Sequence, residues 1–312
     1  MKKLFLFLAV LSLTACETKR TDQQQTDQQP QDTPVVVTPA HIDKYRMSSK
    51  YVPARTIRVW VPEGYDASRQ YDVLYMHDGK MLFDATITWN HQEWGVDEAM
   101  DSLVNLGYIR PTIVVGIDNI GNGADPKRIG EYCPDDVALL LPPEKALYDG
   151  LVTMKGNDYL RFVTEELKPF IDSVYSTYKD RNHTWIMGSS CGGLISSYAL
   201  CKYPDLFAGA ACMSTHSTLA ADTDHPDQDV IDAYREYLKT HLPANSAKLY
   251  FDRGDQTLDA NYADSQEAIN QMLMTAGWNS AHFEYRFFPG HAHEETYWRQ
   301  RLDIPLRFLL EP

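Results

Sequence analysis

Positive charge is scarce in this chain: 29 lysines and arginines face 43 aspartates and glutamates, giving a formal charge of −14. Such an acidic surface argues against a nucleic-acid partner. Cysteine is also sparse, at five residues, with no C-x-x-C spacing of the zinc-binding kind. The apolar stretch at residues 4–13 is too short to span a bilayer, and no internal repeat of the solenoid type is present. What the chain has is apolar content, 44% of its 312 residues, which is ample for a full core. Aromatic residues make up 12%, with 19 tyrosines, compatible with a sugar- or aryl-lined cleft.

The first sixteen residues read as a processing signal: basic Lys2 and Lys3, the short apolar stretch, then Leu13-Thr14-Ala15-Cys16. The last four resemble a bacterial lipoprotein lipobox. That resemblance implies a lipidated Cys16 and attachment to a membrane outside the cytoplasm, without a transmembrane helix. Residues 17–47 are expected to be a flexible tether, since Thr, Gln, Asp and Pro dominate as far as about Pro39 and offer nothing to bury. The catalytic domain is placed at residues 48–312. Its four cysteines, Cys133, Cys191, Cys201 and Cys212, are expected to be free, buried thiols.

From about Ser48 onward strand-like and helix-like runs alternate. Strands are expected at 56–61, 73–76, 112–117, 183–187, 208–213, 248–251 and 283–288, and helices at 96–106, 159–178, 192–203, 230–241, 260–276 and 294–310. Such alternation predicts an α/β fold, a mostly parallel central sheet with helices on both faces. Ligands bind such sheets beyond the carboxyl ends of the strands.

One of those ends is informative. The run His183-Thr184-Trp185-Ile186-Met187 stops at Gly188-Ser189-Ser190-Cys191-Gly192-Gly193, and a helical segment follows at once. A strand feeding directly into a helix leaves room for only a tight, strained turn, with its apex clear of the sheet and small residues where backbones approach. In the Gly-x-Ser-x-Gly reading Ser190 is that apex, a candidate nucleophile. A serine needs a base, and the base needs an acid, in the chain order Ser, Asp or Glu, His. After the last strand comes Pro289-Gly290-His291-Ala292-His293-Glu294-Glu295, with two candidate bases.

The segment His293-x-Glu295-x-x-Trp298-x-x-Arg301-Leu302 resembles the C-terminal signature of the putative-esterase family of α/β-hydrolases, which includes esterase D, enterochelin esterases and feruloyl or acetylxylan esterases. The elbow matches that family. So do Tyr75-Met76-His77-Asp78-Gly79, Trp94-Gly95-Val96-Asp97-Glu98, Val115-Gly116-Ile117-Asp118-Asn119 and Arg128-x-x-Glu131-Tyr132. The resemblance covers roughly residues 51–310 and implies an α/β-hydrolase fold, with His293 as base and His291 as a loop or cleft residue.

The acid is sought within residues 252–259. The position where the family often carries its carboxylate is Thr257 here, so Asp259 is preferred, Asp255 second and Asp252 third; a helix N-cap is the competing role for Asp259. The oxyanion donors are expected at the amide of Cys191 and, in the turn after residues 73–76, at Gly79 in preference to Lys80. Arg128, Glu131 and Tyr132 are candidate cleft residues.

The resulting expectation is a serine carboxylic-ester hydrolase using no metal or organic cofactor. Its partners would be a small-molecule or oligosaccharide ester and a lipid anchor, with acetyl or feruloyl esters of carbohydrates ahead of a siderophore ester. Two further readings are weaker: a metal-dependent hydrolase built on His291-x-His293 with Glu294 and Glu295, and a non-catalytic binding protein that kept the fold.

Overall fold

The computed structural model describes residues 38–243 and 246–312. The leader, Cys16 and most of the expected tether lie outside the described residues. Eight strands among them form one sheet: β1 (His41–Met47), β2 (Arg55–Val61), β3 (Asp72–His77), β4 (Thr112–Ile117), β5 (Thr184–Ser189), β6 (Gly209–Met213), β7 (Lys248–Arg253) and β8 (Phe283–Phe287), in the order β1-β2-β4-β3-β5-β6-β7-β8. The β1–β2 and β2–β4 pairs are antiparallel and the remaining pairs parallel. This is the mostly parallel α/β-hydrolase arrangement expected from the sequence.

Strand β1 corrects the expected boundary between tether and domain. Residues 41–47 pair with 55–61 across their whole length. None of their side chains is buried, so an edge strand held by main-chain bonds carries no hydrophobic signal in HIDKYRM.

The central strands are buried on both faces, which is why they read as unbroken apolar runs. Val73 and Tyr75 of β3 face one core with Leu194, Ile195 and Leu249. Leu74 and Met76 face the other with Trp60, Val114, Trp185 and Leu306. The first core is covered by α5 (Cys191–Lys202), α6 (Gln228–His241) and α7 (Ala263–Thr275), the second by α1 (Val96–Asn105) and α9 (Asp303–Leu310). The short α2 (Pro126–Glu131) and α8 (Glu295–Gln300) sit in connections after β4 and β8.

Two helices differ from expectation. The segment expected at 159–178 runs as α3 (Gly156–Arg161), a π-helical stretch (Phe162–Leu167) and α4 (Lys168–Val174). It ends early because Thr177 makes a bridge to Tyr71 at the start of β3. The helix expected at 294–310 is divided near Arg301 into α8 and α9. The four described cysteines are all free and buried, as expected.

Candidate active site

At the carboxyl end of β5, Ser190 has φ 57° and ψ −124°, a conformation L residues rarely adopt. Two things hold it there. Its N–H donates to the Met213 carbonyl at 2.9 Å, and its own carbonyl accepts from the His216 N–H at 3.2 Å. The turn also brings backbones together so closely that a Cβ on Gly188 would lie 2.7 Å from the Gly192 carbonyl carbon. Ser190 is the first residue before α5, so the amide of Cys191 stands at that helix's N-terminus, among the groups without an intrahelical acceptor.

Beyond β7 the three candidate aspartates separate cleanly. Asp259 is fully buried, and its Oδ1 lies 2.6 Å from His293 Nδ1. Its Oδ2 accepts from Ser214 Oγ at 2.7 Å and the Gly254 N–H at 2.5 Å. Burial alone would raise this carboxyl, but His293 and these donors outweigh it and hold the pKa below the ordinary value. Asp255 is half-buried on a loop and accepts from the Gly290 N–H. Asp252 is buried and engages Arg301, the Ser214 N–H and the Tyr250 hydroxyl. Asp259 begins no α-helix; it lies inside a 3-10 turn, Thr257–Tyr262.

Of the two histidines, His293 faces the cleft and His291 does not. The His291 carbonyl accepts from the Asp255 and Gln256 N–H groups, and its ring packs on Tyr297 and Phe288 beside Arg301. Edge-on contacts from Tyr262 and Trp298 fix the His293 ring. With Nδ1 held by a carboxylate, Nε2 is left to receive a proton from a hydroxyl.

Ser190, Cys191 and His293 line one cavity of about 450 Å³. The serine and the imidazole are not hydrogen-bonded to each other in this structure, an arrangement common where such bonds tighten only around substrate. Lys80, Trp89, Asn90, Asn122 and Glu295 line other parts of the wall.

Gly79 is absent from that wall. It is buried against β4, where a Cβ would come within 2.5 Å of the Gly116 carbonyl carbon; close backbone approach accounts for this glycine. Its neighbour Lys80, second in the sequence reading, does line the cavity, and the Lys80 N–H has no backbone acceptor among the described residues. The Lys80 amide therefore replaces Gly79 as the candidate partner of Cys191.

Of the three candidate cleft residues only Arg128 lines the cavity. It forms a two-point ion pair with Asp78, at 2.7 and 2.6 Å. Glu131 turns away to make a buried pair with Arg55, and Tyr132 is buried with its hydroxyl accepting from the Asp78 N–H.

His216 was not anticipated. It lines the cavity, stacks on Tyr148, and bonds the Tyr262 hydroxyl through Nδ1 and the Ala220 carbonyl through Nε2. Burial pushes its pKa down to about 4, so the ring is neutral at pH 7. No motif spacing marks it, because its place is set by the strand end beside the elbow. Among the described residues no group of three or more His, Cys, Asp or Glu side chains could hold a metal ion.

A sequence profile described as "Putative esterase" matches residues 48–309. An uncharacterized protein, YbbA of Bacillus subtilis (strain 168), is 26% identical over 174 residues, 55% of this chain and 61% of that one, so the match spans less than two thirds of YbbA. Among solved structures, a ferulic acid esterase superposes with TM-score 0.64 at 21% identity, covering 88% of this chain and 99% of the other. The enterobactin esterase FES from Shigella flexneri does so with TM-score 0.62 at 17% identity, covering 87% and 59%. At these identities the superpositions establish the fold.

Proposed function

The chain belongs to the putative-esterase family, and on that premise we propose that it is a serine carboxylic-ester hydrolase working through an acyl-enzyme, with Ser190 as nucleophile, His293 as base and Asp259 as the supporting acid. The observation that carries the reading is the convergence of a strained Ser190 and an Asp259-held His293 on one cavity.

Ser190 Oγ forms the bond to the ester carbonyl carbon as its proton passes to His293 Nε2. The oxyanion is stabilised by the Cys191 amide, with the Lys80 amide as second donor. The bond to the leaving alcohol then breaks, and His293 returns the proton to that oxygen. Water then attacks the acyl carbon while giving a proton to His293, the bond to Ser190 Oγ breaks as that oxygen takes the proton back from His293, and the acid departs. Asp259 offsets the positive charge on the imidazole throughout and keeps Nε2 pointed at the serine.

The substrate is an acetyl or feruloyl ester of a carbohydrate, met outside the cytoplasm by an enzyme tethered through a lipidated Cys16. Leader composition and the aromatic cavity rim support this reading. No described helix is long and apolar enough to cross a membrane. The test is hydrolysis of 4-nitrophenyl acetate and covalent labelling by an organophosphonate, both expected to disappear in Ser190→Ala. Undiminished activity in that variant overturns the assignment, and fatty-acid labelling lost in Cys16→Ala tests the anchor.

A further inference from the structure

Glu295 carries a carboxyl that the mechanism above does not use. It is 8% exposed and lines the cavity. One oxygen, Oε2, accepts from Asn90 Nδ2 at 2.8 Å, and the carboxyl also accepts from the N–H of its own residue. A carboxyl offers up to about four acceptor positions, so a group facing the cavity with two bonds made keeps capacity for a donor that enters the site.

Its position in the chain says which part of an ester it would meet. Glu295 is the first residue of α8, two residues after His293. The imidazole that protonates the departing alcohol must stand beside that alcohol, so the wall continuing from His293 into α8 borders the alcohol side of the ester. Farther along that wall Trp89 is 55% exposed at the rim, and the side-chain amides of Asn90 and Asn122 also line the cavity.

Resting on the esterase reading, we propose that Glu295, Asn90 and Trp89 form a polyol subsite: the cavity-facing Glu295 carboxyl pairs with a hydroxyl of a sugar alcohol moiety while the Trp89 indole covers a face of the ring. In either protonation state a carboxyl oxygen can pair with a hydroxyl, and an indole offers the flat apolar surface that a pyranose presents in return. An anionic chelate fits this wall poorly. Glu294 and Glu295 contribute carboxyls, whereas the lining cations are Lys80 and Arg128, and Arg128 is already paired with Asp78.

The test compares kcat/KM for a mono-acetylated methyl β-xyloside and for 4-nitrophenyl acetate, whose alcohol offers no hydroxyl, in the full chain carrying Glu295→Gln or Trp89→Ala. The sugar-to-nitrophenyl ratio is expected to fall roughly tenfold or more in each variant, chiefly through KM for the sugar ester. An unchanged ratio, or a parallel loss on both substrates, overturns the subsite. A second measurement does not depend on turnover: titration of the full chain with xylobiose, followed by tryptophan fluorescence, should show saturable binding weakened in Glu295→Gln. Absence of saturable binding overturns the subsite. Failure of wild-type protein to hydrolyse 4-nitrophenyl acetate, with xylobiose binding intact, would remove the esterase reading and leave the polyol site standing.

Discussion

Ser214 Oγ donates to Asp259 Oδ2 at 2.7 Å, and through that bond the buried carboxylate is held with its other oxygen 2.6 Å from His293. The same hydroxyl accepts from Trp298 Nε1 at 3.0 Å and Arg301 Nη2 at 2.7 Å. One donor and two acceptor positions are thus all used, on a residue at φ 42°. Ser214→Ala is expected to lower kcat roughly tenfold, by loosening the acid that aims the base, with KM changed less than twofold. Steady-state kinetics on an activated acetyl ester checks this, and a change confined to KM would count against it.

The three aspartates after β7 make a sharper comparison. Asp259→Asn removes the charge opposite His293 and presents an amide to Nδ1, which favours the wrong tautomer. A loss on the order of 10³–10⁴-fold in kcat is expected. Asp255 is half-buried on a loop away from the cavity wall and holds the Gly290 N–H, so Asp255→Asn should stay within about threefold by analogy with substitutions that leave the chemistry untouched. Equal losses in the two variants would refute Asp259 as the acid.

The choice between those aspartates shows how far the chain could be read in advance. The elbow, the buried strands and the alternation with helices were legible because each rests on local pattern: apolar runs, a Gly-x-Ser-x-Gly turn, and the position of a histidine after the last strand. Edge strand β1 was invisible because its side chains are not buried. Gly79 drew attention as a turn glycine, yet what demands glycine there is the backbone of β4 pressed against it. Glu131 likewise pairs with Arg55, 76 positions away in sequence, a contact no spacing within its own motif could reveal.

The Asp78–Arg128 pair, buried at the cavity wall, yields a prediction in which pH separates two causes. Burial would raise the Asp78 carboxyl, but Arg128 and Asn119 hold it below its ordinary value. The pair's contribution to stability is therefore present above the unfolded carboxyl pKa and lost as pH falls through the lower folded one. Arg128→Met leaves a buried charge without its partner and is expected to cost on the order of 3–5 kcal/mol at pH 7. In that variant the carboxyl takes up a proton more readily, so the deficit should shrink toward pH 4. Urea unfolding of wild type and variant at both pH values measures it, and a deficit independent of pH would point to lost packing instead.

Two buried histidines each contribute a destabilising slope on the acid side of neutrality. Burial pushes His77 down to about 3 and His216 to about 4. The unfolded chain takes up these protons near pH 6.5, whereas the folded chain resists them, so stability falls as pH drops below about 6.5, by up to about 1.4 kcal/mol per pH unit for each ring. Asp97 and Asp252, raised by burial to about 7 and about 6, titrate in the same range with the opposite sign. The informative quantity is therefore the difference between wild type and variant. His77→Asn retains a polar group toward the Tyr159 hydroxyl, which lies 2.7 Å from His77 Nδ1, and cannot take up the proton. Unfolding free energies at pH 7, 6 and 5 should fall less steeply in this variant, even if it is less stable at pH 7. Parallel profiles would show that the imidazole at position 77 does not govern acid sensitivity.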